Sequence, residues 1–155
     1  MMKGYIISIS LIIFFLIKTG NSTTIRLRSW KNDYLTADRD GNVISTRRKS
    51  RSNEWEVIVN GNNLSLKNVA TGLFLHRPDK EQGVTTWCCG RGNNWEGSIN
   101  KSNANIIQLK SWKNDYLHRS DSANGITTWC CGNGNNWNIE VVSGAAITTT
   151  TFVGK

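Results

Sequence analysis

One proline, two histidines and two methionines are all that 155 residues contain of three common residue types. A single proline excludes a proline-rich linker or an extended polyproline segment. Past residue 17, no stretch keeps apolar residues at a 3.6-residue period for three turns, which excludes a helical bundle. A second long apolar run is also missing, so the sequence is not read as a polytopic membrane protein. There is no HExxH, no glycine-rich phosphate loop and no distinctive pair of acids. Neither catalysis, a metal nor a cofactor is therefore expected.

Acidic residues are few, 11 against 19 lysines and arginines, for a net charge of +8. Lys3 followed by the apolar run Ile6 to Ile17 and the small residues Gly20-Asn21-Ser22 reads as a secretory signal peptide over residues 1–22. Its removal leaves about 133 residues, one domain's worth, and takes the charge to +6 by losing Lys3 and Lys18. The protein is expected outside the cell, a compartment in which the four cysteines can pair. Asn63-Leu64-Ser65 and Asn100-Lys101-Ser102 are glycosylation candidates in such a compartment.

What the chain has in abundance is repetition. Leu109 to Trp137 reads LKSWKNDYLHRSDSANGITTWCCGNGNNW. Its front recurs at Leu27 to Leu35 (LRSWKNDYL) and its back at Leu75 to Trp95 (LHRPDKEQGVTTWCCGRGNNW). Aromatic-Leu pairs fall at Tyr34-Leu35, Phe74-Leu75 and Tyr116-Leu117. Asn-x-Trp triplets end at Trp55, Trp95 and Trp137, each 21 residues after the aromatic. The copies step by 40 and then 42 residues, with a turn glycine in each at Gly41, Gly83 and Gly125. Such a period means one supersecondary unit used three times.

Within each copy, short alternating stretches are bounded by Gly, Asn, Asp and Ser, the pattern of strands and turns. In copy one the strands are expected over Ile25 to Ser29, Tyr34 to Ala37, Val43 to Arg47 and Trp55 to Val59. Copy two gives Leu64 to Leu66, Phe74 to His76, Val84 to Cys88 and a weaker Trp95 to Ile99, interrupted by Gly97. Copy three gives Ile107 to Leu109, Tyr116 to His118, Ile126 to Cys130 and Trp137 to Val142. Three copies of four strands make an all-β β-trefoil, a six-stranded barrel capped by three hairpins, because closure leaves no sheet edge exposed. The domain is placed at 23–143, with repeats near 24–61, 62–102 and 103–143, and a loose tail over 144–155.

On the aromatic-Leu pairs, the glycine-led third strand and the Asn-x-Trp triplet, the chain resembles the fascin-like β-trefoil family over roughly Thr24 to Val142. That resemblance implies the trefoil fold, and among its members are cytosolic actin-bundling proteins. The triplets are also similar to the Gln-x-Trp triplets of ricin-type lectin trefoils. Asn replaces Gln in all three, so that family's sugar-binding residues are not carried over.

Trp55, Trp95 and Trp137 recur in every copy and are expected in the core, where an indole contributes a large apolar area. Residues that recur in only two copies are the candidates for binding. Trp30, Asp33 and Tyr34, with Trp112, Asp115 and Tyr116, offer an aromatic face beside hydrogen-bonding groups for a sugar. His76, Arg77 and Trp87, with His118, Arg119 and Trp129, offer a cross-strand patch on the hairpins. Packing of Trp30 and Trp112 against the adjacent hairpin is the alternative, as is an Arg–indole contact stable on its own.

The basic run Arg47, Arg48, Lys49 and Arg51 is the alternative site, for a sulfated glycan or an anionic membrane surface. For Cys88, Cys89, Cys130 and Cys131 the expectation is a bond between the two repeats. Bonds between adjacent cysteines and a four-thiolate zinc site are the alternatives. The function expected is that of a secreted, monomeric, lectin-like protein recognising glycans on cells or matrix. Alternatives are a protein-directed effector (a cytokine-like ligand, toxin or protease inhibitor acting on a cell-surface protein) and an actin-binding protein. Nucleic acid is not an expected partner, and membrane contact is expected only peripherally.

Overall fold

A computed structural model describes residues 22–144 except 62 and 124. The expected signal peptide and C-terminal tail thus lie outside the described residues, apart from Ser22 and Gly144 at their borders. Twelve strands follow one another: β1 (Thr23–Arg28), β2 (Tyr34–Ala37), β3 (Val43–Thr46), β4 (Trp55–Asn60), β5 (Asn63–Asn68), β6 (Phe74–His76), β7 (Thr85–Trp87), β8 (Trp95–Asn100), β9 (Asn103–Ser111), β10 (Tyr116–Arg119), β11 (Ile126–Trp129) and β12 (Trp137–Ser143). Strands β1, β4, β5, β8, β9 and β12 pair antiparallel in that cyclic order, and β12 returns to β1, closing a barrel. Hairpins β2–β3, β6–β7 and β10–β11 branch from β1, β5 and β9. This is the β-trefoil that the repeat implies.

The alternation in sequence becomes alternation in burial. Thr23, Ile25, Leu27 and Ser29 face inward, with Arg26 and Arg28 between them partly exposed. The core is layered in threes: Leu27, Leu66 and Leu109 from the first strands, Leu35, Leu75 and Leu117 from the second, and Trp55, Trp95 and Trp137 from the fourth. A buried indole N–H needs an acceptor, and each has one. Trp55, Trp95 and Trp137 donate to the carbonyls of Leu35, Leu75 and Leu117 at 3.0, 3.1 and 3.1 Å. Each tryptophan therefore ties its own hairpin to the barrel, which explains the constant 21-residue spacing.

Two strand expectations change. β7 and β11 end at Trp87 and Trp129, so the cysteines lie beyond the sheet. β8 runs unbroken through Gly97. A Cβ there would sit 2.8 Å from Leu64 Cδ2 on the neighbouring β5. The glycine makes room for a core leucine and does not interrupt the strand. Asn63 and Asn100, the two glycosylation candidates, are exposed at barrel turns between repeats. Among the described residues, no helix is long and apolar enough to cross a membrane.

Candidate functional site

Where neighbouring repeats meet, the turn after one copy's first strand faces another copy's hairpin. Three grooves result, related by the internal repeat, and their contents differ.

In the groove between copies three and one, Arg119 at the end of β10 reaches Asp33 in the turn between β1 and β2. Its Nε lies 3.1 and 3.0 Å from the two carboxylate oxygens, and its Nη2 lies 2.7 Å from Oδ2. Its Nη1 donates to the carbonyls of Ser120, Ser122 and Gly125, tying down the β10–β11 turn. The pair is buried, with 6% of Asp33 and 4% of Arg119 exposed. Burial alone pushes the Asp33 carboxyl up. The hydrogen bonds from Arg119 and Ser29 outweigh burial and hold it below its ordinary value.

The groove between copies two and three repeats this arrangement. Arg77 holds Asp115 through Nε at 3.3 and 3.0 Å and Nη2 at 2.7 Å, and Ser111 donates to the same carboxylate. Asp115 is likewise held below its ordinary value against the effect of burial. Asp33, Asp115, Arg77 and Arg119, read from the sequence as contact residues, are thus turned into the protein. The donors of each arginine meet the acceptors of its aspartate, and each ion pair joins two repeats.

In the groove between copies one and two the pair is absent. Ala37 and Leu73 occupy the corresponding positions. No tryptophan enters, and an open cavity of about 450 Å³ remains, lined by Ala37, Asp38, Arg39, Asp40, Gly41, Ser52, Ala70, Thr71 and Leu73. The signal for this cavity in the sequence is a pair lost, Ala37 and Leu73 standing where the other grooves have arginine and aspartate.

The tryptophans cross the same boundaries. Trp30 Nε1 donates to the Arg119 carbonyl, and Trp112 Nε1 to the Arg77 carbonyl, both at 3.2 Å. Each indole is held by its polar edge, as in the packing alternative, but their faces differ. The Arg91 guanidinium carbon lies 3.7 Å from the centre of the Trp112 ring, and Lys113 Nζ is 5.1 Å away. Over Trp30 the one cation among the described residues is Lys31 Nζ at 5.0 Å. Asn133 occupies the position of Arg91 in copy three. Trp30 is accordingly 47% exposed. It borders a cavity of about 310 Å³ lined by His118, Arg119, Asp121, Gly132, Asn133 and Gly134.

The hairpin patches separate on folding. Trp87 lies opposite Phe74, and Trp129 opposite Tyr116; His76 and His118 lie opposite Thr85 and Thr127. Trp87 and Trp129 are 57% and 50% exposed. His76 and His118 lie over the glycine turns that follow, with Nδ1 at 2.7 Å from the Oδ1 of Asn93 and Asn135. A Cβ on Gly92 would sit 2.3 Å from the Arg77 carbonyl oxygen and 2.5 Å from His76 Cε1; Gly134 shows 2.4 Å to both equivalents. Copy one has Thr36 and Ser52 at these positions, so the glycine and the histidine change together. The asparagines of the Asn-x-Trp triplets were missed as anchors, although their recurrence in all three copies was visible.

Tyr34 and Tyr116 leave the tryptophan sets. Tyr34 is buried beside β12, where its hydroxyl donates to Glu140 at 3.1 Å. Lys49 reaches the same carboxylate at 2.9 Å and lies 5.6 Å from the Tyr34 ring. The bond to Glu140, then that to Tyr34, raises the Lys49 ammonium above its ordinary value. Tyr116 is half-buried, across from Trp129. Lys49 thus leaves the basic run for an ion pair. Arg47, Arg48 and Arg51 remain exposed, and none has an ion-pair partner among the described residues.

No family model matches the sequence, and no curated protein matches it. The likeness is to solved structures. A Macrolepiota procera ricin B-like lectin in complex with lactose superposes at a TM-score of 0.65 and 14% identity, over 79% of this chain and 98% of that one. The BEL β-trefoil matches at 0.68 and 15%, over 83% and 100%. ThreeFoil, a designed three-fold symmetric protein, matches at 0.65 and 14%, over 75% and 96%. At these identities the likeness shows the fold: the chain is a β-trefoil.

Proposed function

We propose that the protein is a carbohydrate-binding β-trefoil whose glycan site is the groove between copies three and one. The observation that carries this is the state of Trp30. Its indole is fixed by an N–H bond to a backbone carbonyl, yet nearly half its surface is open beside a cavity of about 310 Å³. A fixed aromatic face loses little freedom when a sugar ring stacks on it. Asp121, Asn133 and His118 around it supply acceptors and donors for hydroxyls. The lactose-bound ricin B-like lectin supports the reading, since the same fold there holds a sugar. The proposed setting is extracellular, with the glycans on cell surfaces or matrix, a reading supported by an N-terminal stretch of secretory type. The narrower kinship with fascin-like trefoils rests on the aromatic-Leu and Asn-x-Trp landmarks alone.

The test is a glycan array, including sulfated chains, run with the wild type and Trp30→Ala at near-physiological salt. Binding to neutral sugars that Trp30→Ala abolishes supports the site. Binding confined to sulfated chains, lost with salt and unchanged in Trp30→Ala, moves recognition to Arg47, Arg48 and Arg51. Failure to bind any glycan defeats the proposal and favours the reading as a protein-directed effector.

A further inference from the structure

The tips of the second and third hairpins carry the same four residues, Trp87-Cys88-Cys89-Gly90 and Trp129-Cys130-Cys131-Gly132. In an extended strand, neighbouring side chains point to opposite faces. Here the strands have ended, and each chain bends towards a glycine of positive φ, 108° at Gly90 and 104° at Gly132. The bend turns both sulfurs of a pair to one side. Cys88 Sγ lies 2.7 Å from Cys89 Sγ, and Cys130 Sγ lies 2.6 Å from Cys131 Sγ. All four cysteines are exposed, so none is there to fill the core.

Copy one spans the corresponding stretch, from the end of β3 to the next short turn, with Arg47-Arg48-Lys49-Ser50 and no thiol, so the connection itself does not require sulfur. Nor do the four sulfurs assemble. Among the described residues, no three of His, Cys, Asp or Glu gather as a metal site, which removes the zinc alternative. A bond between repeats would need Cα atoms within about 7 Å, and it would turn each sulfur away from the neighbour it already meets. In this structure all four cysteines are free thiols, and the sulfur contacts are those within each tip.

We propose that Cys88-Cys89 and Cys130-Cys131 are two independent vicinal dithiol sites, each closed to a disulfide by a small-molecule disulfide oxidant such as oxidised glutathione. The thiolate of one cysteine attacks a sulfur of the oxidant and releases one molecule of glutathione. The neighbouring thiolate then attacks the mixed disulfide at the protein sulfur and releases the second. One sulfur–sulfur bond breaks and one forms. The protein loses two protons and two electrons per pair, and the oxidant becomes two thiols. The product is an eight-membered ring exposed beside a tryptophan. Strained, exposed disulfides are the readily reduced ones, so mild dithiol reopens it without unfolding the barrel. This inference is independent of the glycan site.

The decisive experiment is a peptide map of the full chain, reduced, treated with oxidised glutathione, alkylated and digested with trypsin. Cleavage after Lys80, Arg91 and Arg119 places the first pair in residues 81–91 and the second in 120–155. The expected result is two separate peptides, each lighter by two hydrogens than its reduced form and carrying no alkyl group. A cross-linked species containing both peptides overturns the proposal, as does a persistent glutathione adduct or alkylation of all four cysteines. Cys131→Ser supplies the second arm. It strands Cys130, which should retain glutathione, while the first pair still closes. Failure of the first pair in that variant shows that the sites are not independent.

Discussion

The grooves that hold Trp30 and Trp112 are built from nearly the same sequence, SWKNDY, against nearly the same hairpin. Both contain a buried Arg–Asp pair, and both pin the indole N–H to the carbonyl of that arginine. Their hairpins differ at several positions, of which Arg91 against Asn133 concerns the face of the indole. Arg91 covers Trp112, whereas Asn133 leaves Trp30 open. Arginine stacks on an indole because its guanidinium is planar and weakly hydrated; an asparagine side chain is too short to do so. The difference teaches that an internal repeat can duplicate a scaffold without duplicating a site.

The largest expected effect tests what the two grooves share. Arg119→Ala strands the buried Asp33 carboxylate and should cost about 3 to 5 kcal/mol in denaturant unfolding. Arg77→Ala should cost less, because the Asp115 side chain is 22% exposed and water replaces part of the loss. The double variant Arg119→Ala with Asp33→Leu copies the Ala37–Leu73 groove. It should recover most of the loss, since a packed apolar pair often does as well as a buried ion pair. No recovery would mean that the arginine's bonds to Ser120, Ser122 and Gly125 matter more than its charge.

Gly134→Ala comes next. The added methyl meets the Arg119 carbonyl, which is backbone and cannot swing aside, so a cost of about 1 to 3 kcal/mol is expected. In copy one Ser52→Ala should be nearly neutral by the same unfolding assay, because Thr36 and Ala37 stand where the other hairpins carry histidine and arginine. Equal losses at both positions would show that the glycine serves the turn and not the histidine above it.

The third prediction separates the grooves. Trp30→Ala should weaken glycan binding about tenfold or more, roughly 1.4 kcal/mol, while Trp112→Ala leaves it within about twofold. Arg91→Asn should then uncover Trp112 and raise the stoichiometry in a calorimetric titration from one site towards two. If Trp112→Ala proves as damaging as Trp30→Ala, the covering by Arg91 does not close that groove in solution.

The smallest effect concerns acid. Asp33 and Asp115 are held below the ordinary carboxylate value, so the unfolded chain takes up their protons first as pH falls. The stability they lend is complete at neutral pH and is lost as pH drops below about 4. Asp33→Asn should flatten that decline in a pH series of thermal midpoints. A decline unchanged by the substitution would place the acid sensitivity elsewhere, Glu140 being the next carboxylate held low.

Much of this was legible without coordinates. Trp55, Trp95 and Trp137 declared themselves core by recurring in every copy, and β2 and β6 fall where the alternation put them. Two-copy residues were harder to read. Trp30, Asp33 and Tyr34 are close in sequence but leave the backbone in different directions, one into a groove, one into a buried ion pair and one towards β12. Sequence adjacency carries no direction once a turn intervenes. Their true partners, Arg119 and Glu140, lie 86 to 106 residues away.

The sequence by itself determined the architecture, because the spacing of apolar residues sets strand length and face, and a half-buried four-strand unit is stable only when three close a barrel. It also determined the core, since a threefold-repeated tryptophan has only the axis to pack around. Tertiary structure alone decided which tryptophan is open, which carboxylates are spent on arginine and which sulfurs meet. Those outcomes depend on distances between repeats of a few ångströms, and the pattern along the chain contains no term for them.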